Sequence, residues 1–189
     1  MGKVVVTEFV TLDGVIEDPG GGEQTRNGGW TFKFDQGPEG MQFKFAELMA
    51  SDAQLLGRVT YDGFAAAWPT MEGTGEFGKK MNEMPKFVVS TTLENPEWNN
   101  TTVLTGNLTE EVGRLTQQFS GDILVAGSAQ LVQSLLTHDL VDELHLMVFP
   151  LVLGSGKRLF ATAAETTAFR LVETKQSGTV AILTLRRER

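Results

Sequence analysis

Cysteine is absent from the 189-residue chain, and histidine occurs only as His138 and His145. Without cysteine there are no disulfides, no thiolate nucleophiles and no cysteine-ligated zinc or iron–sulfur centres. Two separate histidines do not favour a histidine-rich metal site, so we predict no bound metal. His145 alternates with leucines on an apolar segment, where we expect it to be exposed or at a subunit contact, and neither histidine is a catalytic candidate.

Long apolar runs and excess basic charge are also missing. The longest apolar run, residues 146–153, is far shorter than the roughly 20 residues that span a bilayer. The opening sequence MGKVVVTEF lacks the order of regions found in signal peptides. With 16 basic and 24 acidic residues, the net charge of −8 argues against binding to nucleic acid or anionic membranes. We expect a cytoplasmic protein that binds a small molecule.

Strand and helix patterns alternate along the chain. The β-branched and aromatic run at residues 3–11 predicts a strand buried on both faces. From Pro38, apolar residues at helical spacing (41, 45, 48 and 49) predict a helix with one apolar stripe. Residues 70–84 look irregular, and two closing strands meet at a Ser177-Gly178 turn. The pattern predicts one α/β domain over residues 1–189, with a mostly parallel sheet, helices on both faces and a C-terminal antiparallel hairpin.

Two strand–glycine–helix junctions carry the chemistry that the residues suggest. Gly57-Arg58 follows one apolar run, and Gly127-Ser128 follows another, with Ser128 predicted to cap the next helix. Glycine lets the backbone approach a ligand, and free N–H groups at a helix start favour an anion. Hydroxyl residues at positions 90–92 end a third strand on the same expected sheet edge. Each junction alone fits an ordinary tight turn, and neither a GxGxxG nor a P-loop motif is present.

Taken together, these segments resemble one known family over about residues 3–187. The matching pieces are TLDGVI at 11–16, LLGRVTYDGF at 55–64, KFVVSTTL at 86–93, DILVAGSAQLVQSLL at 122–136 and VDELHLMVFPLVLGSGKRLF at 141–160. The chain resembles the RibD C-terminal domain, the reductase domain of riboflavin biosynthesis, within the dihydrofolate-reductase-like superfamily. The resemblance implies a three-layer dihydrofolate-reductase-like fold that binds NADPH across the strand ends.

The resemblance also implies which residues meet the cofactor. Residues at the first junction would hold its phosphates, those at 90–92 its ribose 2′-phosphate, those at the second junction its pyrophosphate, and those after the first strand its nicotinamide. These cofactor-binding candidates are Thr11, Gly14, Gly57, Arg58, Thr60, Ser90, Thr91, Thr92, Gly127, Ser128, Ala129 and Gln130. The cofactor would supply the hydride, and the protein would supply orientation and at most one proton.

Catalytic and substrate residues are harder to assign. Glu8, on an aliphatic strand face, and Asp13, in the first loop, are the proton-donor candidates. Substrate candidates are Glu17, Trp30, Phe45 and Tyr61. At the place where the resemblance to dihydrofolate reductases leads us to expect the acid that protonates the pterin, this chain has Met41. The second turn, which starts at Ala126, also lacks the commoner paired glycines.

Three functions therefore stay open. The first is an NADPH-dependent reductase of a small heterocycle, acting on a CH–NH, C=O or C=N group, similar to 5-amino-6-(5-phosphoribosylamino)uracil reductase. The second is a dihydrofolate reductase homologue without the usual acid, and the third is a nucleotide-binding protein without turnover. We expect no zinc deaminase activity, because the sequence lacks the zinc ligands that such a domain needs. Apolar residues in 144–153 and the closing hairpin lead us to expect a homodimer.

Overall fold

Strands and helices alternate from residue 4 to residue 149 in the computed structural model, which describes residues 1–160 and 166–188. The strands are β1 (Val4–Thr11), β2 (Ser51–Gly57), β3 (Lys86–Val89), β4 (Thr101–Leu104), β5 (Asp122–Ala126), β6 (Glu143–Phe149), β7 (Phe169–Ser177) and β8 (Val180–Arg187). The helices are α1 (Gly37–Ala50), α2 (Arg58–Ala67), α3 (Gly75–Glu83), α4 (Leu108–Gln118) and α5 (Ala129–Thr137), with a 3-10 turn at Trp30–Lys33.

All eight strands belong to one sheet in the order β4-β3-β2-β5-β1-β6-β8-β7. Strands β1 to β6 pair in parallel, and β8 is antiparallel to both β6 and β7. The predicted mostly parallel sheet with a closing antiparallel hairpin is confirmed. Because β2, β5 and β1 are neighbours and parallel, the loops that follow their carboxyl ends meet at one rim of the sheet.

Helices cover both faces of the sheet, which makes three layers. On one face, Val4, Val6 and Val10 of β1 pack in a buried cluster with apolar residues of α4 and α5. On the other face, Val5 packs with Leu48 of α1 and with buried residues of α2 and α3. Removing these side chains from water stabilises the fold by about 25 cal/mol per Å² of apolar surface.

Helix α1 does not face the core with the stripe that the sequence indicates. Leu48 is buried as predicted, but the Met41 side chain is 73% exposed and Phe45 is 39% exposed. The positions that turn toward the sheet include Gly40 and Glu47, both buried. The face of the helix that packs against the sheet therefore carries Gly40 and the hydrogen-bonded Glu47. The apolar side chains of Met41 and Phe45 lie on the solvent-exposed face.

Helix α3 forms where the sequence looked irregular, at residues 75–83. Its Met81 is buried, and Phe77 packs against the Trp68 ring with the ring centroids 5.5 Å apart. These contacts with the α2 region stabilise a helix whose glycine-containing sequence is a poor helix former. The prediction of an irregular segment there was wrong.

Strand β7 is the outermost strand on one side of the sheet, and about half of the surface of its Leu171 and Val172 is exposed to solvent. The homodimer predicted from this edge stays a prediction. Within residues 1–160 and 166–188, no helix has the length and apolar character needed to cross a membrane. Over the same part of the chain, no group of three or more His, Asp or Glu side chains is placed to hold a metal ion.

Lys86, at the start of β3, is fully buried, and its ammonium is bound by backbone carbonyl groups. Its ammonium donates to the carbonyl oxygens of Asn82 (2.9 Å), Met84 (2.8 Å) and Asn99 (2.9 Å). It also lies 4.4 Å from the centre of the Trp98 ring. Burial lowers the pKa of Lys86 from 10.5 to about 8, so the cation is retained at neutral pH by its carbonyl partners.

Replacing Lys86 with Met should lower the free energy of unfolding by about 3 kcal/mol at pH 7, because three buried acceptors lose their donor. Since the unfolded chain binds the lysine proton more tightly than the folded one, wild-type stability should also gain between pH 8 and 10.5. That gain should be missing in the variant. Urea unfolding checks both effects against Lys79→Met, an exposed lysine on α3. Equal losses in the two variants would contradict the structural role of Lys86.

Candidate functional site

The two predicted glycine junctions touch each other at the rim of the sheet. Gly57 ends β2 and Ser128 precedes α5, on neighbouring strands. The hydroxyl oxygens of Thr60 and Ser128 are 2.8 Å apart. A Cβ atom on Gly57 would lie 2.2 Å from Ser128 Oγ, and one on Gly127 would lie 2.7 Å from Thr60 Oγ1. The close approach of the two turns therefore requires glycine at both positions.

The backbone of the second junction is shaped for an anion. Gly127 and Ser128 have φ angles of +71° and +67°, so the chain makes a left-handed turn immediately before α5 begins. Ser128 is the N-cap residue of α5 as predicted, but its side chain makes no capping hydrogen bond and instead contacts Thr60. Helix α2 also lacks a side-chain cap at Gly57. The first N–H groups of both helices thus keep donors for a ligand, and Ala129 and Gln130 lie in the first turn of α5.

Arg58 and the end of β3 form the third side of this rim. Arg58 Nε donates to both oxygens of Asp62 at 2.9 and 2.8 Å, and its Nη1 donates to Thr92 Oγ1 at 3.3 Å. Ser90 Oγ accepts from the backbone N–H of Thr92 at 3.2 Å, and Thr91 is exposed between them. A half-exposed guanidinium is thereby fixed beside a cluster of hydroxyl groups.

Glu8 lies directly behind the second junction. It is 6% exposed on β1, and its Oε1 has no hydrogen-bond partner among the described residues. The backbone N–H of Gly127 lies near the same carboxyl group and acts to lower its pKa. Burial raises the pKa of Glu8 from 4.5 to about 8, against the opposing effects of Lys44 and Gly127. Glu8 is therefore largely protonated at neutral pH and able to give up a proton.

Asp13, the other proton-donor candidate, holds two loops together. It accepts hydrogen bonds from Thr11 Oγ1 at 2.7 Å and from the backbone N–H groups of Gly154 and Leu153 at 2.8 and 3.2 Å. The Thr11 hydroxyl above all, with those two amides, lowers the pKa of Asp13 to about 2. An ionised Asp13 does not suit a proton donor. It positions the turn at Gly14, whose φ is +81°, beside β1.

Two of the four substrate candidates are core residues. Trp30 is fully buried, with its Nε1 donating to the Glu17 carbonyl at 2.9 Å and its ring edge-on to Phe149. Tyr61 is 3% exposed, and its hydroxyl accepts from the Trp98 N–H at 3.2 Å. Both rings pack in the core of this structure, and their assignment to the substrate stays a prediction. Glu17 is half-buried and contributes its backbone carbonyl to holding Trp30.

Phe45, the remaining candidate, lines an open groove of about 490 Å³ along α1. The groove is formed mainly by α1, with Phe77 of α3 at its far wall. Its lining residues are Gln36, Gly40, Met41, Gln42, Lys44, Phe45 and Phe77. This volume lies within the range of small-molecule sites.

A buried polar network that sequence reasoning missed underlies this groove. Lys44 Nζ donates to Thr7 Oγ1 at 2.6 Å and forms an ion pair with Glu47. The other oxygen of Glu47 meets His145 Nδ1 at 3.1 Å. The His145 side chain is therefore mostly buried and not exposed, and the predicted alternative of a subunit contact stays a prediction. Burial acts to raise the pKa of Glu47, but Lys44, His145 and Thr7 outweigh it and lower the pKa. The only sign of this network in the sequence is the three-residue spacing of Lys44 and Glu47. Because such charged pairs are also common on solvent-exposed helix faces, the spacing does not predict burial.

The sequence and the structure were compared with protein families, curated proteins and solved structures. A family model described as the RibD C-terminal domain matches residues 2–183. The uncharacterized protein YyaP of Bacillus subtilis is 29% identical over 187 residues, which cover 96% of this chain and 93% of YyaP. A putative riboflavin biosynthesis protein from Shewanella sp. PV-4 has a similar structure, with a TM-score of 0.79, 21% identity and 99% of each chain covered. A dihydrofolate reductase from Enterococcus faecalis complexed with NADP(H) has a TM-score of 0.56 at 14% identity, over 100% of this chain and 98% of that one.

Proposed function

This chain belongs to the RibD C-terminal domain family, and we propose that it is an NADPH-dependent reductase of a small heterocyclic substrate. The observation that carries the proposal is the contact of the two glycine junctions, with Thr60 and Ser128 at 2.8 Å. The starts of α2 and α5 therefore lie close together at the rim, where their first backbone N–H groups would meet one ligand. A diphosphate is the kind of group that such donors hold.

The residues at the rim fit the dinucleotide in three places. The N–H groups after Gly57 and Gly127 would hold its phosphates, and the hydroxyls at positions 90–92 would meet the adenosine ribose. Arg58 would pair with a 2′-phosphate, because its guanidinium is fixed by Asp62 and Thr92 but remains 39% exposed. When bound, the cofactor supplies the hydride. An acidic protein of net charge −8 thus needs only local donors to bind a polyanion.

The chain's own residues would position the substrate and hold a proton. The loop fixed by Asp13 borders the end of β1, and Glu8, one strand face away, carries a proton at neutral pH. No carboxylate lines the α1 groove among the described residues, and Met41 stands at its open edge. This arrangement disfavours a dihydrofolate reductase, which protonates its pterin with an acid at the place of Met41.

Replacing Arg58 with Ala should weaken NADPH binding at least tenfold and change NADH binding less than about threefold. The reason is that charge-assisted hydrogen bonds are worth about 1.5–3 kcal/mol, and only NADPH has the 2′-phosphate. Calorimetric titration of both nucleotides measures the two affinities. Arg114→Ala, which removes an exposed arginine of α4, is the matched control. Equal losses for both nucleotides would remove Arg58 from the 2′-phosphate site.

Turnover is tested by following NADPH oxidation with 5-amino-6-(5-phosphoribosylamino)uracil or with dihydrofolate as the second substrate. We expect NADPH oxidation with the phosphoribosylaminouracil and none with dihydrofolate. NADPH binding without oxidation by a broader panel of heterocycles would favour a nucleotide-binding protein without turnover. Absence of NADPH binding would contradict the proposed function itself.

A further inference from the structure

Glu8 is a buried carboxyl group that lies beside the second junction. It shares one face of β1 with Val6 and Val10, which pack in the apolar cluster that includes residues of α4 and α5. Glu8 is 6% exposed, and its Oε1 atom has no hydrogen-bond partner among the described residues. An ionised carboxylate needs more hydrogen-bond partners than a neutral carboxyl group when it is removed from water. The surroundings of Glu8 therefore favour its neutral form.

The elements that pack around Glu8 provide little charge that could stabilise its ionised form. In the sheet, Glu8 is paired with Leu146 of β6, and the residue before it is paired with Ala126 of β5. Helix α5, which covers this face, has no charged side chain. The charged groups that act on Glu8 are Lys44 and Glu47 of α1, on the other face of the sheet, and their effects on the Glu8 pKa oppose each other.

The backbone N–H of Gly127 connects Glu8 with the rim of the sheet. It lies near the Glu8 carboxyl group and acts to lower its pKa, so it favours the ionised form. The same N–H belongs to the junction that we assign to the phosphates of the dinucleotide. A backbone amide has one N–H to donate, so an ionised Glu8 and a phosphate would compete for it. Their negative charges would also repel each other.

We propose that the dinucleotide binds to the form of this rim in which Glu8 is neutral, and that binding takes up a proton wherever Glu8 is ionised in the free protein. The inference rests on the proposed function, because it describes the regulation of the proposed cofactor site. Since the coupling between two ligands is reciprocal, the nucleotide and the proton each raise the affinity of the protein for the other. Alkaline pH therefore releases the nucleotide.

The pH range of this release follows from the burial of Glu8. Burial raises the pKa of Glu8 from 4.5 to about 8 in the free protein, so the carboxylate predominates only above pH 8. A bound phosphate raises this pKa further, because a nearby negative charge disfavours a second one. The affinity for NADPH should therefore fall above about pH 8, by up to about tenfold per pH unit.

Fluorescence titration of the full chain with NADPH at pH 6.5 and pH 9.5 measures this fall. We expect the wild-type affinity to be at least about tenfold lower at pH 9.5. Glu8→Gln is uncharged at both pH values, so it should lose less than about threefold and should bind NADPH more tightly than the wild type at pH 9.5. Glu72→Gln, at an exposed position, is the matched control and should keep the wild-type dependence. Lys86 also titrates in this range, but its contribution is common to all three proteins.

Calorimetric titration in buffers that differ in ionisation enthalpy counts the protons and gives a result for the wild type alone. At pH 8.5, NADPH binding by the wild type should take up at least about half a proton more than binding by Glu8→Gln. At pH 6.5, where Glu8 is neutral in the free protein, the two proteins should not differ. Circular dichroism checks that Glu8→Gln folds.

Two results would overturn the inference and leave the proposed function in place. One is a wild-type NADPH affinity that does not fall between pH 6.5 and pH 9.5, or that falls equally in Glu8→Gln. The other is NADPH binding by the wild type at pH 8.5 without proton uptake. Absence of NADPH binding at every pH would instead remove the proposed function, and the inference with it.

Discussion

Gly57→Ala should weaken NADPH binding by about a hundredfold or more. Its Cβ atom would lie 2.2 Å from Ser128 Oγ and 2.6 Å from Ser128 Cβ, so the second junction must move away from the first. The backbone at Gly57 has a φ of −82°, which any residue adopts, so the effect comes from contact between the turns and not from local strain. Isothermal titration calorimetry measures the change, and a hundredfold corresponds to about 2.7 kcal/mol.

Adding Ser128→Gly to Gly57→Ala should recover at least tenfold of that loss, because it removes the two atoms that clash. The replacement is compatible with the left-handed backbone there, where φ is +67°. Gly63→Ala is the control, since a Cβ atom on this α2 glycine meets nothing within 4 Å. An unchanged NADPH affinity in Gly57→Ala, or no recovery in the double variant, would show that the junctions do not form one site.

Glu8→Gln should remove most of the loss of stability that the wild type shows as pH rises from 4.5 to 8. The folded protein holds the Glu8 proton with a pKa of about 8, whereas the unfolded chain releases it near 4.5. Between these values the unfolded state binds fewer protons, so stability falls with pH by up to about 1.4 kcal/mol per unit. Below pH 4.5 the two proteins should differ little, and at pH 8 the variant should be more stable by about 4 kcal/mol.

Chemical unfolding at a series of pH values between 4 and 8.5 measures this difference for wild type and variant. Taking the difference cancels the contributions of Asp13, Lys86 and other groups that both proteins share. Glu72→Gln, at an exposed position before α3, should reproduce the wild-type slope. Parallel curves for Glu8→Gln and wild type would show that Glu8 is ionised and solvated in the folded protein. Glu8 would then carry no proton to donate at neutral pH.

The fold was predictable from the sequence because its signals are local and repeated. Alternating strand and helix periods, and the Ser177-Gly178 turn, fix a mostly parallel sheet with a closing hairpin. The two junctions at Gly57 and Gly127 were found because glycine after a buried strand marks a close approach of backbone. The same kind of signal failed for α3, whose stability comes from contacts of Phe77 and Met81 rather than from its own sequence.

Side-chain partners distant in sequence were not predictable. Ser128 has the sequence position of a helix cap, but Thr60 competes for its hydroxyl across 68 positions. Trp30 lies in a glycine-rich loop, which suggests exposure, yet Phe149 provides a ring partner that buries it. Lys44 and Glu47 look like an ordinary surface pair on a helix. They become part of a buried network only because Thr7 and His145 face them from β1 and β6.

The central claim is that the two junctions bind a single dinucleotide, and an NMR titration with NADPH tests it most directly. Backbone amide signals of residues 58–60 and 128–130 should shift together, report one common Kd, and reach saturation at one NADPH per chain. Shifts confined to one junction, two different dissociation constants, or no shifts at either junction would contradict the claim.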